Sequence, residues 1–192
     1  MLAIRNSQPK DELDRLSRKV DENLLSLPEM RSAHVISTYL NIGSEVRTDK
    51  IVEWALSKGK RVIVPISDKV TKTLVFSEVR DPQNELGRGS FGILEPKREF
   101  RRIYPLETAD IVLVPGLAWD MRGFRVGYGV GFYDRSINKL KSKVMMLGLA
   151  YEFQLVERVP NTRYDRRVDR IVTELRVIET VRSNGFACSA ED

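Results

Sequence analysis

The residues best suited to chemistry lie together in residues 114–135, which read VPGLAWDMRGFRVGYGVGFYDR. Arg125 and Arg135 flank three glycines at alternate positions: Gly127, Gly129 and Gly131. Closely spaced glycines let backbone N–H groups approach an anion, and arginine guanidinium groups bind phosphate oxygens. The spacing therefore favours phosphate binding. A turn that needs only positive φ angles, with its arginines in solvent, is the alternative interpretation.

Asp134 places a carboxylate directly after this glycine run. Mg²⁺ in proteins is usually held by one or two carboxylates together with phosphate and water oxygens, so Asp134 is the candidate magnesium ligand. The run matches neither of the two familiar phosphate motifs. The chain holds no G-x-x-x-x-G-K-[ST], and the third glycine of G-x-G-x-x-G would fall on Phe132.

The chain has one histidine and one cysteine, which leaves little basis for chemistry that uses these residue types. The single cysteine, Cys188, excludes a disulfide framework and a Cys-rich zinc site. The single histidine, His34, lies in an apolar stretch and is predicted to be a core residue. Phosphoryl transfer needs neither residue type, because it depends mostly on positioning and charge neutralisation.

The composition of the 192 residues is that of an ordinary globular protein with a small excess of basic over acidic residues. Lys and Arg number 32 and Asp and Glu number 27, which gives a net charge of +5. Such a charge suits an anionic partner, but acidic residues are interspersed among the basic ones, so nucleic-acid binding is not favoured. The chain has no apolar run of membrane-spanning length and no signal-peptide pattern, which predicts a cytoplasmic protein.

Hydrophobic periodicity predicts the elements that must position these residues. The predicted helices span residues 10–27, 49–58 and 131–140, and the predicted strands span residues 33–40, 60–66, 72–79, 111–114, 143–150 and 170–174. Strands that alternate with helices indicate a three-layer α/β sandwich with a mainly parallel, Rossmann-like sheet. We expect a single domain over residues 1–182 and a loose tail over residues 183–192. Ligands bind beyond the carboxyl ends of strands in such sheets, and the glycine run follows a predicted strand.

The sequence also predicts the ends of one helix and an unusual connecting segment. Thr48 is placed to cap the helix over residues 49–58, and Gly59 is placed to end it. Residues 80–108 carry Pro, Gly and charge with little periodicity, and they are too long for an ordinary connection. We expect this stretch to be a functional loop or excursion.

The glycine run and five further segments, in order, resemble the 5-formyltetrahydrofolate cyclo-ligase family. Residues 125–135 (RVGYGVGFYDR) are similar to the family signature R-L-G-Y-G-G-G-Y-Y-D-R, and residues 115–120 (PGLAWD) are similar to P-G-L-A-F-D. The shorter matches are EVRT at 45–48, FGILEP at 91–96, GLAYEFQ at 148–154 and VTE at 172–174. The resemblance extends over about residues 5–175, nearly the whole chain.

The resemblance implies an ATP-dependent cyclisation of a reduced folate. MgATP phosphorylates the formyl oxygen of 5-formyltetrahydrofolate, N10 attacks the activated carbon, and phosphate leaves to give 5,10-methenyltetrahydrofolate. ATP and the reduced folate are then the partners, and Mg²⁺ is the cofactor. We expect a monomer or weak dimer without a membrane partner.

The same resemblance extends the set of candidate site residues. Arg125 and Asp134 are the predicted catalytic residues, and Asp165 is a possible second carboxylate for the metal. The predicted ATP-binding residues are Arg125, Gly127, Tyr128, Gly129, Val130, Gly131, Phe132, Tyr133 and Arg135. The predicted substrate contacts are Glu45, Leu74, Phe91 and Tyr133.

The chain departs from the family pattern in two places. The family stretch P-x-E-x-H-D is replaced by residues 160–165 (PNTRYD), where the nearby arginines 163, 166, 167 and 170 are candidates to bind an anionic substrate tail. The family's early Lys has no counterpart before Arg5, from which we expect weak ATP affinity. Two alternative functions stay open: a ligase acting on a different reduced pterin, and a non-catalytic basic RNA-binding or regulatory relative.

Overall fold

A seven-stranded sheet forms the centre of the computed structural model, which describes residues 1–68, 70–71, 73–89, 92–129, 131–138, 140, 143–162 and 165–180. The strands are β1 (Val35–Ser37), β2 (Arg61–Asp68), β3 (Thr73–Val79), β4 (Leu86–Arg88), β5 (Leu94–Pro96), β6 (Ile111–Val114), β7 (Ala118–Trp119), β8 (Arg125–Val126), β9 (Met145–Leu149), β10 (Arg170–Val172) and β11 (Val177–Glu179). The helices are α1 (Leu2–Asn6), α2 (Lys10–Ser26), α3 (Pro28–Ser32), α4 (Asp49–Ser57), α5 (Pro82–Glu85) and α6 (Phe132–Ile137).

The strand order is β11-β10-β9-β6-β1-β2-β3. The five inner strands, from β10 to β2, pair in parallel, and the two edge strands β3 and β11 pair antiparallel to their neighbours. The predicted α/β class with a mainly parallel sheet is therefore confirmed. The antiparallel edges arise because short connections, 69–72 and 173–176, join β3 and β11 to the strands beside them.

Helices cover both faces of the sheet, as a three-layer sandwich requires. Side chains alternate along β6: Ile111 and Leu113 belong to one buried cluster, and Val112 and Val114 belong to the other. The first cluster packs against the apolar stripes of α2 and α4, and the second includes Ile137 of α6. The described helices include none whose length and apolar character would let it cross a lipid bilayer.

The excursion predicted over residues 80–108 contains structure of its own. It holds α5, the antiparallel hairpin β4–β5 and two short 3₁₀ turns, Arg98–Phe100 and Leu106–Thr108. The hairpin packs beside β2 and brings β5 to the carboxyl half of that strand, where the Ser67 N–H donates to Glu95 Oε1 (3.1 Å). The segment therefore forms a small substructure that packs against the main sheet at β2.

Three local predictions need correction or fall outside the description. His34 is exposed and not in the core, because it lies in a bend directly before β1, where the neighbouring side chains Ala33 and Val35 are the buried ones. The Thr48 hydroxyl donates to the Tyr39 carbonyl (2.6 Å) and does not cap α4. The predicted tail over residues 183–192 lies outside the described residues.

Candidate functional site

A cavity of about 390 Å³ lies beyond the carboxyl ends of β1 and β6. This volume falls within the range of small-molecule sites. Its walls come from the loop after β1, the end of β2, the β5 strand, the loop after β6, and the segment 125–134. The position is the one expected for ligand binding in an open parallel sheet, because connections leave the sheet there and diverge.

Most of the predicted site residues meet in this cavity. The lining includes Glu45, Leu74, Arg125, Gly127, Tyr128, Gly131, Phe132, Tyr133 and Asp134. Arg135 instead lies against the glycine run: a Cβ at Gly131 would be 3.1 Å from its Nη1, and its guanidinium faces the Phe132 ring at 5.8 Å. Val130 and Phe91 fall outside the described residues.

Arg125 and Asp134 form an ion pair at the edge of the cavity. Arg125 Nη2 donates to Asp134 Oδ1 at 2.8 Å. The Arg125 side chain is 4% exposed, while that of Asp134 is 33% exposed. The guanidinium thus fixes one carboxylate oxygen, and the carboxylate as a whole stays open to solvent. Such a carboxylate fits a magnesium ion that takes its remaining ligands from phosphate and water.

The backbone between β8 and α6 explains why glycines recur there. Gly129 and Gly131 have φ angles of 84° and 69°, in the region that residues with a Cβ rarely adopt. A Cβ built on Gly127 or Gly129 would meet no other atom within 4 Å. The surface over these two glycines is therefore open to an approaching ligand, and this geometry supports phosphate binding more than a purely structural turn.

A buried arginine that the sequence analysis did not place in the site lies behind the glycine run. Arg5 is 1% exposed, and its guanidinium donates to Ser44 Oγ (3.0 Å), the Gly116 carbonyl (3.2 Å) and the Tyr128 hydroxyl (2.5 Å). Its hydrogen-bond acceptors among the described residues are all uncharged. Arg5 therefore adds positive potential to this end of the cavity. From the sequence, Arg5 was named only as the residue before which the family's early Lys is missing, and it was given no role in the site.

Glu45 stands on the other side of Tyr128. It is 5% exposed, and its Oε2 accepts a hydrogen bond from the Ile42 N–H (2.9 Å). Burial raises the pKa of the Glu45 carboxyl, while the Ile42 N–H, Arg5 and the Tyr128 hydroxyl act to lower it. Tyr128 thereby links the glycine run to both Arg5 and Glu45.

Tyr133 and Ser136 fix the first turns of α6 against the sheet. Burial raises the pKa of Tyr133 far above its usual value, with a further contribution from the Glu45 charge. Ser136 Oγ accepts the Leu74 N–H (3.0 Å) and donates to the Phe132 carbonyl (2.9 Å). Because Leu74 lies on β3, this bond ties the end of the glycine run to the sheet edge.

The predicted second carboxylate and the predicted rim arginines 166, 167 and 170 are not part of the cavity lining, and Arg163 falls outside the described residues. Asp165 does not line the cavity, and its Oδ2 accepts hydrogen bonds from the Thr162 N–H (2.6 Å) and hydroxyl (3.0 Å). Arg166 donates to two carbonyls at the end of α6, and Arg170 pairs with Glu29 and Glu179. In the described part of the chain, no three His, Cys, Asp or Glu residues cluster as a metal site.

Five further cavity residues escaped the sequence analysis because they lie on strands or loops with no motif of their own: Tyr39, Leu40, Ile42, Pro65 and Ser67. The three cavity residues from the β4–β5 excursion are Ile93, Leu94 and Glu95, which belong to the quoted segment 91–96. A signal for Glu95 was present there, since the segment resembles G-I-x-E-P, but only Phe91 of this segment was predicted as a substrate contact.

Comparison with known proteins identifies the family to which this chain belongs. The model of the 5-formyltetrahydrofolate cyclo-ligase family matches residues 1–174. A 5-formyltetrahydrofolate cyclo-ligase of Haemophilus influenzae is 32% identical over 149 residues, covering 77% of this chain and 80% of that protein. One from Escherichia coli K12 is 28% identical over 176 residues, covering 91% and 97%.

The fold has a similar relative among solved structures. The Aquifex aeolicus 5,10-methenyltetrahydrofolate synthetase superimposes with a TM-score of 0.82 at 34% identity, covering 99% of this chain and 95% of that one. These matches confirm the resemblance drawn from the motifs and the prediction of a ligase.

Proposed function

Because this chain belongs to the 5-formyltetrahydrofolate cyclo-ligase family, we propose that it converts 5-formyltetrahydrofolate to 5,10-methenyltetrahydrofolate with MgATP. The observation that carries this proposal is one cavity that joins two kinds of surface. One end has the glycine run with the Arg125–Asp134 pair, and the rest is mostly apolar with buried carboxylates. The first suits a triphosphate and the second suits a flat heterocycle with hydrogen-bond donors.

The phosphate end supplies positioning and charge. The open backbone at Gly127 and Gly129 and the Arg125 guanidinium bind phosphate oxygens, and Arg5 adds positive potential from behind. Asp134 would hold Mg²⁺, which neutralises the charge of the transferring phosphoryl group when it is bound. These groups together favour transfer of the terminal phosphoryl group to the formyl oxygen, with ADP as the leaving group.

The second half of the reaction forms the ring. The N10 lone pair attacks the carbon of the O-phosphorylated formyl group, the bond between that carbon and the phosphorylated oxygen breaks, and phosphate departs with that oxygen. The N10 proton is lost, and the iminium bond of the methenyl product remains. Tyr133 and Glu45 both line the cavity, and the Glu45 charge acts on the Tyr133 hydroxyl; in this proposal these side chains orient the formyl group and exclude water from the activated carbon.

The test is a spectrophotometric assay for methenyl product with and without ATP and Mg²⁺. We expect methenyl product to form only when the protein, ATP and Mg²⁺ are all present. Product formed equally without ATP would contradict the proposal. Replacing 5-formyltetrahydrofolate by other reduced pterins addresses the alternative that this ligase acts on a different pterin. The cytoplasmic location and the monomer or weak dimer stay predictions.

Asp134→Asn provides the matched variant for this assay. The change is nearly isosteric and keeps an oxygen for Arg125, so the fold is expected to survive while turnover is lost. Circular dichroism serves as the control for folding. Wild-type activity of the variant at limiting Mg²⁺ would show that Asp134 is not the magnesium carboxylate.

A further inference from the structure

The cavity contains a second buried carboxylate that the steps above do not use. Glu95 lies in the middle of β5 and is 4% exposed. Its Oε1 accepts one hydrogen bond, from the Ser67 N–H (3.1 Å). Within the described ranges, no lysine or arginine forms an ion pair with it.

The β4–β5 hairpin fixes the position of this carboxylate. Gly87 pairs with Glu95 across the hairpin. A Cβ at Gly89 would lie 2.5 Å from Glu95 Oε2, so the β4 side of the hairpin approaches that oxygen closely. The carboxylate is therefore held between this backbone and the Ser67 N–H of β2, and it faces the cavity.

A buried carboxylate is costly unless hydrogen bonds or a cation satisfy it. One backbone N–H leaves most of the acceptor capacity of Glu95 unused, because a carboxylate offers about four lone-pair sites. Ile93 and Leu94, the cavity residues that precede Glu95 in the chain, carry no side-chain donor. Among the described residues, the acceptor capacity left on Glu95 faces the cavity, where a molecule that fills it can supply donors.

We propose that Glu95 accepts hydrogen bonds from the 2-amino group and N3–H of the reduced pterin, and so selects that edge of the substrate. This assignment rests on the proposed function. A carboxylate matches two adjacent N–H donors of a planar group. Glu45 is linked to Tyr128 of the glycine run and serves the formyl end. Glu95 has no such link and serves the opposite edge of the ring.

The test measures binding of 5-formyltetrahydrofolate without ATP by calorimetry, together with its 2-desamino-2-methyl analogue, which lacks the amino donor. The wild type is expected to bind the natural ligand roughly ten- to a hundredfold more tightly, the range for a charged hydrogen bond. Glu95→Gln is expected to lose most of this ratio, because it exchanges the carboxylate for an amide while keeping an acceptor for Ser67. Glu99→Gln, an exposed acid of the same excursion, is the matched control and should keep the ratio.

The outcomes separate the two proposals. An unchanged ratio in Glu95→Gln, with binding intact, would overturn the Glu95 assignment alone. Failure of the wild type to bind the natural ligand would instead overturn the proposed function. Because a folding defect would also weaken binding, ATP affinity is measured on each variant. Glu95→Gln is expected to keep the wild-type ATP affinity, and a parallel loss of ATP binding would count against a role confined to the pterin edge.

Discussion

At the residue scale, Arg125 has the most defined role, because its guanidinium both contacts Asp134 and lines the cavity. Arg125→Ala removes a charge-assisted contact to phosphate, typically worth about 1.5–3 kcal/mol. We expect the KM for ATP to rise and kcat to fall, with kcat/KM for ATP lowered by roughly tenfold or more. Steady-state kinetics with varied ATP measure this change. Arg15→Ala, an exposed arginine of α2, is the control, and an unchanged ATP dependence of Arg125→Ala would leave Arg125 without a phosphate role.

At the element scale, β9 and the loop after β6 hold Trp119 beneath the site. Trp119 is fully buried, and a Cβ on Gly148 or Gly116 would lie 2.5 or 2.6 Å from its ring. Gly148→Ala is therefore expected to lower the free energy of unfolding by about 1–3 kcal/mol, the usual cost of overpacking. Urea denaturation measures the effect. Adding Trp119→Phe should recover part of the loss because the ring is smaller, and a double variant no more stable than Gly148→Ala would contradict this cause.

At the scale of the whole molecule, Asp21 makes stability depend on pH. Burial, and then the Asp49 carboxylate, raises the pKa of Asp21 from 3.8 to about 7, and its Oδ1 is buried without a hydrogen-bond partner among the described residues. The folded protein binds this proton more tightly than the unfolded chain does. The stabilisation that comes from this tighter proton binding at Asp21 is therefore fully present below about pH 4, and it is lost as the pH rises through about 7.

Asp21→Asn should remove this dependence, because the amide stays uncharged. We expect the variant to be more stable than the wild type at pH 8, on the order of 1 kcal/mol, and to show a smaller difference between pH 5.5 and 8. Urea unfolding at the two pH values measures this. Asp11→Asn, an exposed acid at the start of α2, is the control. Equal pH dependence in the wild type and Asp21→Asn would exclude Asp21 as its source.

Features that depend on neighbouring residues could be predicted from the order of the amino acids. The apolar stripe of α2, the end of α4 at Gly59 and the glycine run before α6 are encoded by local spacing, and each was predicted. Contacts between residues far apart in the chain became evident only from the folded structure. Arg5 meets Tyr128 across 123 positions, and Glu95 meets Ser67 across 28. Such contacts follow from the order in which strands pair and from where an excursion folds back, and local periodicity carries neither kind of information.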